Sequence, residues 1–376
     1  MNKTVLFAII VFQLFLQSCS NQPFRQDLEI GQSLNNLDKK IDLIVIDKMN
    51  QYNIPGLAIG LISYDSIFYT KAYGVKSIKS ANPVTENSVF HAASISKLFT
   101  AVAVMNLVEQ NKISLNHKLI DLIPELKYDD LRVKDITIKN LLNHTSGLTD
   151  INKYHWDNNN QSESSLEEFV LGLNLKLNSK PSSAYKYNNL AYNILGYIIE
   201  KLSATTFEDF VKEEILDNSG MYNSDFRYFK ILDTLKTSPH SRNRLTKVIY
   251  QRKIYPYTRE HAPSSTLNTS SADLSNWMIW FMKNINNSER KSIYSSMLEP
   301  SFDSYPYIGL GFQLYTINSK KAIGHYGGDK GYRSYLVMIP EENIGLVLLA
   351  NCDYDEDFRQ EILHPIAKLL LSKMSK

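Results

Sequence analysis

The sequence predicts a mixed fold of the α/β (α+β) kind: an antiparallel sheet flanked by helices, together with an all-helical lobe. Two observations carry this. Short apolar strands occur near both ends of the chain, and a mostly helical middle, roughly 94–290, lies between them. At ~150 residues per domain, 376 residues would suit two or three domains. One sheet built from both termini explains the bracketing better than a row of separate domains. There is no internal repeat and no low-complexity segment.

Each element follows from its pattern. Leu37, Ile41, Ile44, Val45 and Met49 recur at helical spacing from about Leu34 to Tyr52, and Pro55 ends that helix. Gly56 to Ser63 and Ser66 to Tyr73 flank Tyr64-Asp65, which reads as strand, tight turn, strand. Ser94 to Gln110 is apolar on all sides and predicts a buried helix. Asp135 to Asn143 is a short amphipathic piece, and Leu166 to Leu173 and Asn189 to Leu202 are further helices. Ala272 to Met282 holds two of the three Trp, with Asp273 in its first turn as a cap or first-turn carboxylate. Gly311 to Thr316, Lys321 to His325, Tyr332 to Ile339 and Ile344 to Asn351 are short strands separated by Gly, Pro and Asn, and Glu356 to Ser375 closes as a helix.

Composition narrows the function classes. With 43% hydrophobic and 21% charged residues, the chain is neither collagen-like, nor a charged disordered tail, nor a disulfide-stapled miniprotein. A net charge of +2 gives no general electrostatic case for nucleic acid. At the N-terminus, Lys3 precedes an apolar run from Val5 to Leu16 broken only by Gln13. That run of about 12 residues makes roughly 18 Å of helix, short of a ~30 Å hydrocarbon core. A run of this kind after a Lys has the form of an export signal. Its end, Leu16-Gln17-Ser18-Cys19, resembles a bacterial lipobox. We therefore expect residues 1–18 to be a lipoprotein signal peptide, Cys19 the lipid attachment site, 19–33 a tether and 34–376 the catalytic domain. Plain secretion and a retained anchor helix are the alternatives. Cys352 follows an apolar run and reads as a buried, inert thiol.

Several catalytic patterns are absent: G-x-S-x-G, H-E-x-x-H, the P-loop and paired C-x-x-C. One is present. Ser94 and Lys97 are i and i+3 at the start of the apolar helix, so they share one face. Free N–H groups and the helix dipole there favour a developing anion. A Lys held close can take the serine proton once burial lowers its pKa. The motif alone also leaves open that Ser94 is a simple N-cap.

Two further segments extend the pattern: Tyr187-Asn188-Asn189 at a helix start, and Gly324-His325-Tyr326-Gly327-Gly328 at a strand. With Ile136 to Leu148 (ITIKNLLNHTSGL), Lys112 to Glu125, Gly309 to Phe312 and Ile344 to Asn351, the chain resembles the serine β-lactamase and penicillin-binding-protein superfamily in its class C-like branch. The resemblance spans about residues 40–370 and implies a β-lactamase/transpeptidase-like fold. It implies that Ser94 is the acylated nucleophile and that Lys97 and Tyr187 relay its proton, with the Tyr pKa lowered by nearby cations. Asn189 would orient substrate and Lys97, His325 would stand first in the strand motif, and Gly327 and Gly328 would complete the substrate and oxyanion side. The oxyanion hole would use the N–H groups of Ser94 and Gly328.

His325-Tyr326-Gly327 departs from the family's Lys-Thr-Gly. A His is neutral much of the time near pH 7, unlike the Lys that suits a β-lactam carboxylate, and Tyr326 is bulkier than Thr. Ala262 to Leu267 also replaces a more glycine-rich wall. The expected activity is therefore hydrolysis of D-residue amides or peptides, or of small esters. A true class C-like β-lactamase and a non-turnover penicillin or cell-wall binder are the alternatives. No cofactor and no metal is required. The partners expected are a small-molecule or peptide substrate and the membrane of a bacterial envelope through the lipid, with no nucleic acid. His144 reads as a loop-geometry residue. The basic stretch Arg242 to Arg259 reads as a solvated loop, or else as a flap over the cleft.

Overall fold

Six strands drawn from the two ends of the chain form one antiparallel sheet. The computed structural model describes residues 36–287 and 291–374, so the export segment, Cys19 and the tether lie outside the described residues. Strands β1 (Gly56–Ser63) and β2 (Ser66–Gly74) come from the N-terminal end. Strands β3 (Gln313–Ile317), β4 (Lys320–Asp329), β5 (Tyr332–Ile339) and β6 (Ile344–Ala350) come from the C-terminal end. Their order is β2-β1-β6-β5-β4-β3. The two ends meet at the β1–β6 pair, in register from Leu57 opposite Ala350 to Ser63 opposite Ile344.

Helices cover both faces of this sheet, which is why central β1 and β6 are apolar without alternation. The principal helices are α1 (Asn36–Tyr52), α2 (Ser96–Glu109), α3 (Asn189–Ser203), α4 (Ser271–Asn286) and α5 (Phe358–Met374). On one face Leu37, Ile41, Val45 and Met49 of α1 join Phe358, Ile362 and Ile366 of α5 over Leu57, Ile59 and Leu61. Ala58 and Ile62, pointing the other way along β1, belong to the second core with Leu274 and Met278 of α4. Gly60 lets α4 lie close, because a Cβ there would sit 2.2 Å from Ser275 Oγ. The second core runs on into the helical lobe. Its centre is α2, buried from Ser96 to Leu107 as its uniformly apolar sequence requires.

Boundaries differ from expectation in places. The Asp135 to Asn143 piece is a 3₁₀ turn, Leu131–Asp135, followed by a helix, Ile138–Leu142. Thr137 separates them by forming a capping box with Asn140. The strand expected to end at His325 continues to Asp329, since Gly327 and Gly328 extend β4 rather than terminate it.

Candidate active site

The short strand Phe90–His91 pairs with Asn268–Thr269, and the Ala92 N–H donates to the Leu267 carbonyl at 2.7 Å. Ser94 follows in a 3₁₀ turn, Ala93–Ile95, and the α-helix begins only at Ser96. That corrects the expectation that Ser94 itself opens α2. The cause is Ala93, whose left-handed φ of 50° breaks helical geometry. Such strain in a non-glycine residue persists only where its surroundings hold it. Here Ser96 Oγ donates to the Ala93 carbonyl at 2.7 Å and accepts from the Leu267 N–H at 2.9 Å. From Ser88 to Leu107 every residue is buried except Ser94, which is half-buried.

Lys97 is fully buried. Its Nζ donates to Ser94 Oγ at 3.1 Å and to the Ser264 carbonyl at 2.7 Å. It also lies 5.0 Å from the Tyr187 ring centroid and 5.5 Å from that of Tyr192. Burial pushes its pKa down to about 7, against the opposing pull of Asp150 and Asp329. The Ala262–Ser265 helix that supplies the Ser264 carbonyl is the segment expected as a glycine-poor cleft wall.

Tyr187 presents its ring to His144, with centroids 4.5 Å apart, and to His325, with centroids 5.9 Å apart. Its hydroxyl oxygen is enclosed and makes no hydrogen bond of ordinary geometry. Burial raises its pKa, with the Ser94 hydroxyl alone working the other way. The expected lowering by cations is thus corrected: desolvation of the phenolate dominates, and no cation is among the groups that lower it. His144 holds a left-handed φ of 59°, and its Nδ1 accepts the Asn188 N–H at 3.1 Å, which is the geometric task foreseen for it.

Asn188 caps α3 by accepting the Ala191 N–H at 2.7 Å. Asp150 adds a second anchor that sequence reasoning missed. Its Oδ1 accepts the N–H groups of Asn189 and Leu190 at 2.7 and 3.0 Å, and its Oδ2 accepts from Asn189 Nδ2 at 3.0 Å. A carboxylate suits the positive end of a helix dipole. Asn189 thus donates its side-chain N–H to Asp150, while Lys97 donates to Ser94 and the Ser264 carbonyl. The only signal was an Asp two residues beyond the Leu148 that ends a recognised string.

Beyond Gly324, β4 is paired with β5 alone, because β3 reaches only as far as Gln313 opposite Gly324. His325 is buried, its Nδ1 lies 2.5 Å from the Tyr326 carbonyl, and its Nε2 has no partner. Burial, with Lys97 adding to it, pushes its pKa down to about 3, so the ring is neutral at physiological pH. Tyr326 points to the α5 side of the sheet, where it stacks on Tyr335 at 3.9 Å. Its bulk therefore does not narrow the Ser94 side. Gly327 passes so close to the nucleophile segment that a Cβ would lie 2.0 Å from Ser334 Oγ and 2.2 Å from the Ala92 carbonyl.

Asp329 ends the strand and gathers the walls of the site. It accepts from Trp156 Nε1 at 3.1 Å and Ser265 Oγ at 3.1 Å, and lies 3.5 Å from His91 Nε2. His91 leads to Ser94, Ser265 adjoins the Lys97 acceptor, and Trp156 stacks on Tyr154 at 4.8 Å. The family model described as Beta-lactamase matches residues 41–370.

The chain belongs to the beta-lactamase family. Among curated relatives it is similar to Protein flp of Staphylococcus aureus (strain MW2), 24% identical over 326 residues, covering 84% of this chain and 64% of that protein. It thus spans just under two thirds of that relative's length. Among solved structures, the octameric penicillin-binding protein homologue from Pyrococcus abyssi aligns with a TM-score of 0.76 at 24% identity, over 89% of this chain and 77% of the other. A class C beta-lactamase aligns with a TM-score of 0.74 at 19% identity, over 89% and 96%. The family match bears out the superfamily, and the solved structures bear out the mixed α/β fold.

The basic stretch of this beta-lactamase-family chain is solvated over its middle, where Arg244, Leu245 and Lys247 are exposed at the tip of a hairpin, but three of its arginines are held by ion pairs. Arg242 pairs with Glu356 and Arg252 with Asp353, while Arg259 is buried between Glu200 and Glu208. The partner carboxylates, of which Glu208 is fully buried, lie far along the chain, so sequence spacing alone does not show them. Cys352 is buried, and its thiol pKa is raised by burial.

Proposed function

We propose that the chain is a serine hydrolase that forms an acyl-enzyme on Ser94 and acts on D-residue amides or peptides, or on small esters. The observation that carries this is a half-buried Ser94 hydroxyl 3.1 Å from a buried amine whose pKa is depressed to about 7. Neutral Lys97 takes the hydroxyl proton as Ser94 Oγ bonds to the substrate carbonyl carbon. The resulting oxyanion is met by the N–H groups of Ser94 and Gly328. Lys97 then returns the proton to the leaving amine or alkoxide, with the Tyr187 phenol as relay, and the C–N or C–O bond breaks. Water repeats the sequence on the acyl ester, releasing the acid and restoring Ser94. A protonated Tyr187 suits the donor half of this relay.

His325 argues for amides and esters over β-lactams. Its ring is neutral, so it provides no cation for a β-lactam carboxylate. A fluorophosphonate probe is expected to label the wild type and not Ser94→Ala. p-Nitrophenyl acetate and D-Ala-p-nitroanilide are expected to turn over faster than nitrocefin. An unlabelled wild type overturns the nucleophile, and fast nitrocefin turnover overturns the substrate class. A penicillin adduct that is never released would favour a non-turnover binder.

The proposal extends to location: an exported protein held to the bacterial envelope by a lipid on Cys19. Cys19→Ser is expected to move the protein from the membrane to the soluble fraction. Unchanged fractionation would reject the anchor.

A further inference from the structure

We propose that Arg359 is a positioning residue that fixes and polarises the Gly327–Gly328 peptide, so that the Gly328 N–H faces the developing oxyanion. This rests on the acyl-serine reading above. Arg359 lies in the first turn of α5, on the side of the sheet away from α4, and its side chain is 13% exposed. Its Nη1 donates to the Gly327 carbonyl at 2.6 Å and to the Ser334 carbonyl, directly opposite in the ladder, at 3.0 Å.

The guanidinium has little freedom to do anything else. Nε and Nη2 grip the two Asp357 carboxylate oxygens at 2.8 and 3.1 Å. The Arg359 guanidinium carbon lies 4.9 Å from the Tyr326 ring centroid, and that ring is itself stacked on Tyr335. The bulk at Tyr326 thus builds a platform for Arg359.

The link to the site is the peptide plane. In a trans peptide the carbonyl and the following N–H point in opposite directions. Holding the Gly327 oxygen toward Arg359 turns the Gly328 N–H the other way. The strand alternation agrees. The Tyr326 N–H points across the outer edge of β4 to Gln313 Oε1, and Gly328, two residues on, points to the same edge where β3 has ended. A cation on the carbonyl oxygen also draws electron density from the N–H and makes it a stronger donor. With two glycines in succession, no Cβ hinders rotation of this peptide, so an external restraint has a clear use.

Arg359→Gln is expected to lower kcat on p-nitrophenyl acetate by about tenfold, a fraction of the loss on removing an oxyanion donor outright, with KM within about twofold. Inhibition by a phenylboronic acid, which places an oxygen where the oxyanion forms, is expected to weaken by the same factor. The pH profile should keep its inflection, since Lys97 is untouched. Arg359→Lys, with a charge but no fork, should recover only part of kcat. Asp357→Asn, at the exposed side of the pair, should lose about threefold if guanidinium orientation matters. It remains informative if Arg359→Gln does not fold. Unchanged kcat and boronate affinity in a folded Arg359→Gln or in Asp357→Asn overturn the positioning role alone. Absence of Ser94 labelling in the wild type overturns the acyl-serine reading and this proposal with it.

Discussion

Lys97→Met is expected to abolish acylation and, at the same time, to make the protein more stable. The wild-type amine is fully buried, and its pKa is down to about 7 from an ordinary 10.5. The unfolded chain therefore binds that proton more readily than the folded one. Between pH 7 and 10.5 this costs the folded state stability as pH falls, at about 1.4 kcal/mol per pH unit. Below pH 7 the penalty is complete and constant. A Met of similar length removes it but leaves the Ser264 carbonyl without its donor, which returns roughly 1–3 kcal/mol. A net gain on the order of 2 kcal/mol at pH 6 should appear as a higher melting temperature, and by pH 10, where less than ~1 kcal/mol of the penalty remains, the variant should melt at or below wild type. A variant that melts lower than wild type at both pH values would refute the buried-amine account. Activity should fall by about 10³-fold or more, as for loss of a general base. In the wild type the acylation rate should rise with pH through about 7, as Lys97 loses its proton. With a pKa near 3, His325 adds no inflection between pH 5 and 8.

The second large effect separates two adjacent glycines. In Gly327→Ala the new Cβ meets the Ala92 carbonyl at 2.2 Å, a backbone atom that cannot swing aside. Strand β4 must retreat from the segment that carries Ser94. Overpacking of this kind costs about 1–3 kcal/mol, and a misplacement of ~1 Å near the chemistry costs about 10²-fold in rate. In Gly328→Ala the nearest atom is the flexible Arg333 side chain at 3.3 Å. Its stability should stay within about 0.5 kcal/mol of wild type. Urea midpoints and kcat for the two variants test this. Equal losses of stability would mean that the close approach at Ala92 is not what Gly327 serves.

Some of this was legible in the residues and some was not. Ser94 and Lys97 could be paired from i, i+3 spacing, because a helix turn is local. Tyr187 and His325 could not. They lie far along the chain from Ser94, and only resemblance to a family brought them together. The direction of Tyr326 follows from strand alternation once His325 faces the site, yet Gly327 and Gly328 look like a strand terminus in sequence and hide the continuation to Asp329. Asp150 and Arg359 act through backbone groups of Asn189 and Gly327, and no side-chain pattern announces a contact of that kind. The acids that pair with Arg242, Arg252 and Arg259 are likewise distant in sequence, so the local charge run shows its exposed middle but not its ion-paired arginines.

The meeting of the chain ends in the sheet has a consequence for the order of synthesis. Strand β1 leaves the ribosome long before its partner β6, with the whole helical lobe between them. Until β6 emerges, one edge of a strand buried at seven of its eight positions has no neighbour. Pairing across so much intervening chain is slow, and an open apolar strand is prone to aggregate while it waits. A nascent chain of this topology therefore gains little from folding early. It gains from being kept extended by a holding chaperone until the last strand is available. Passage through a narrow export channel as an unfolded thread would impose the same delay.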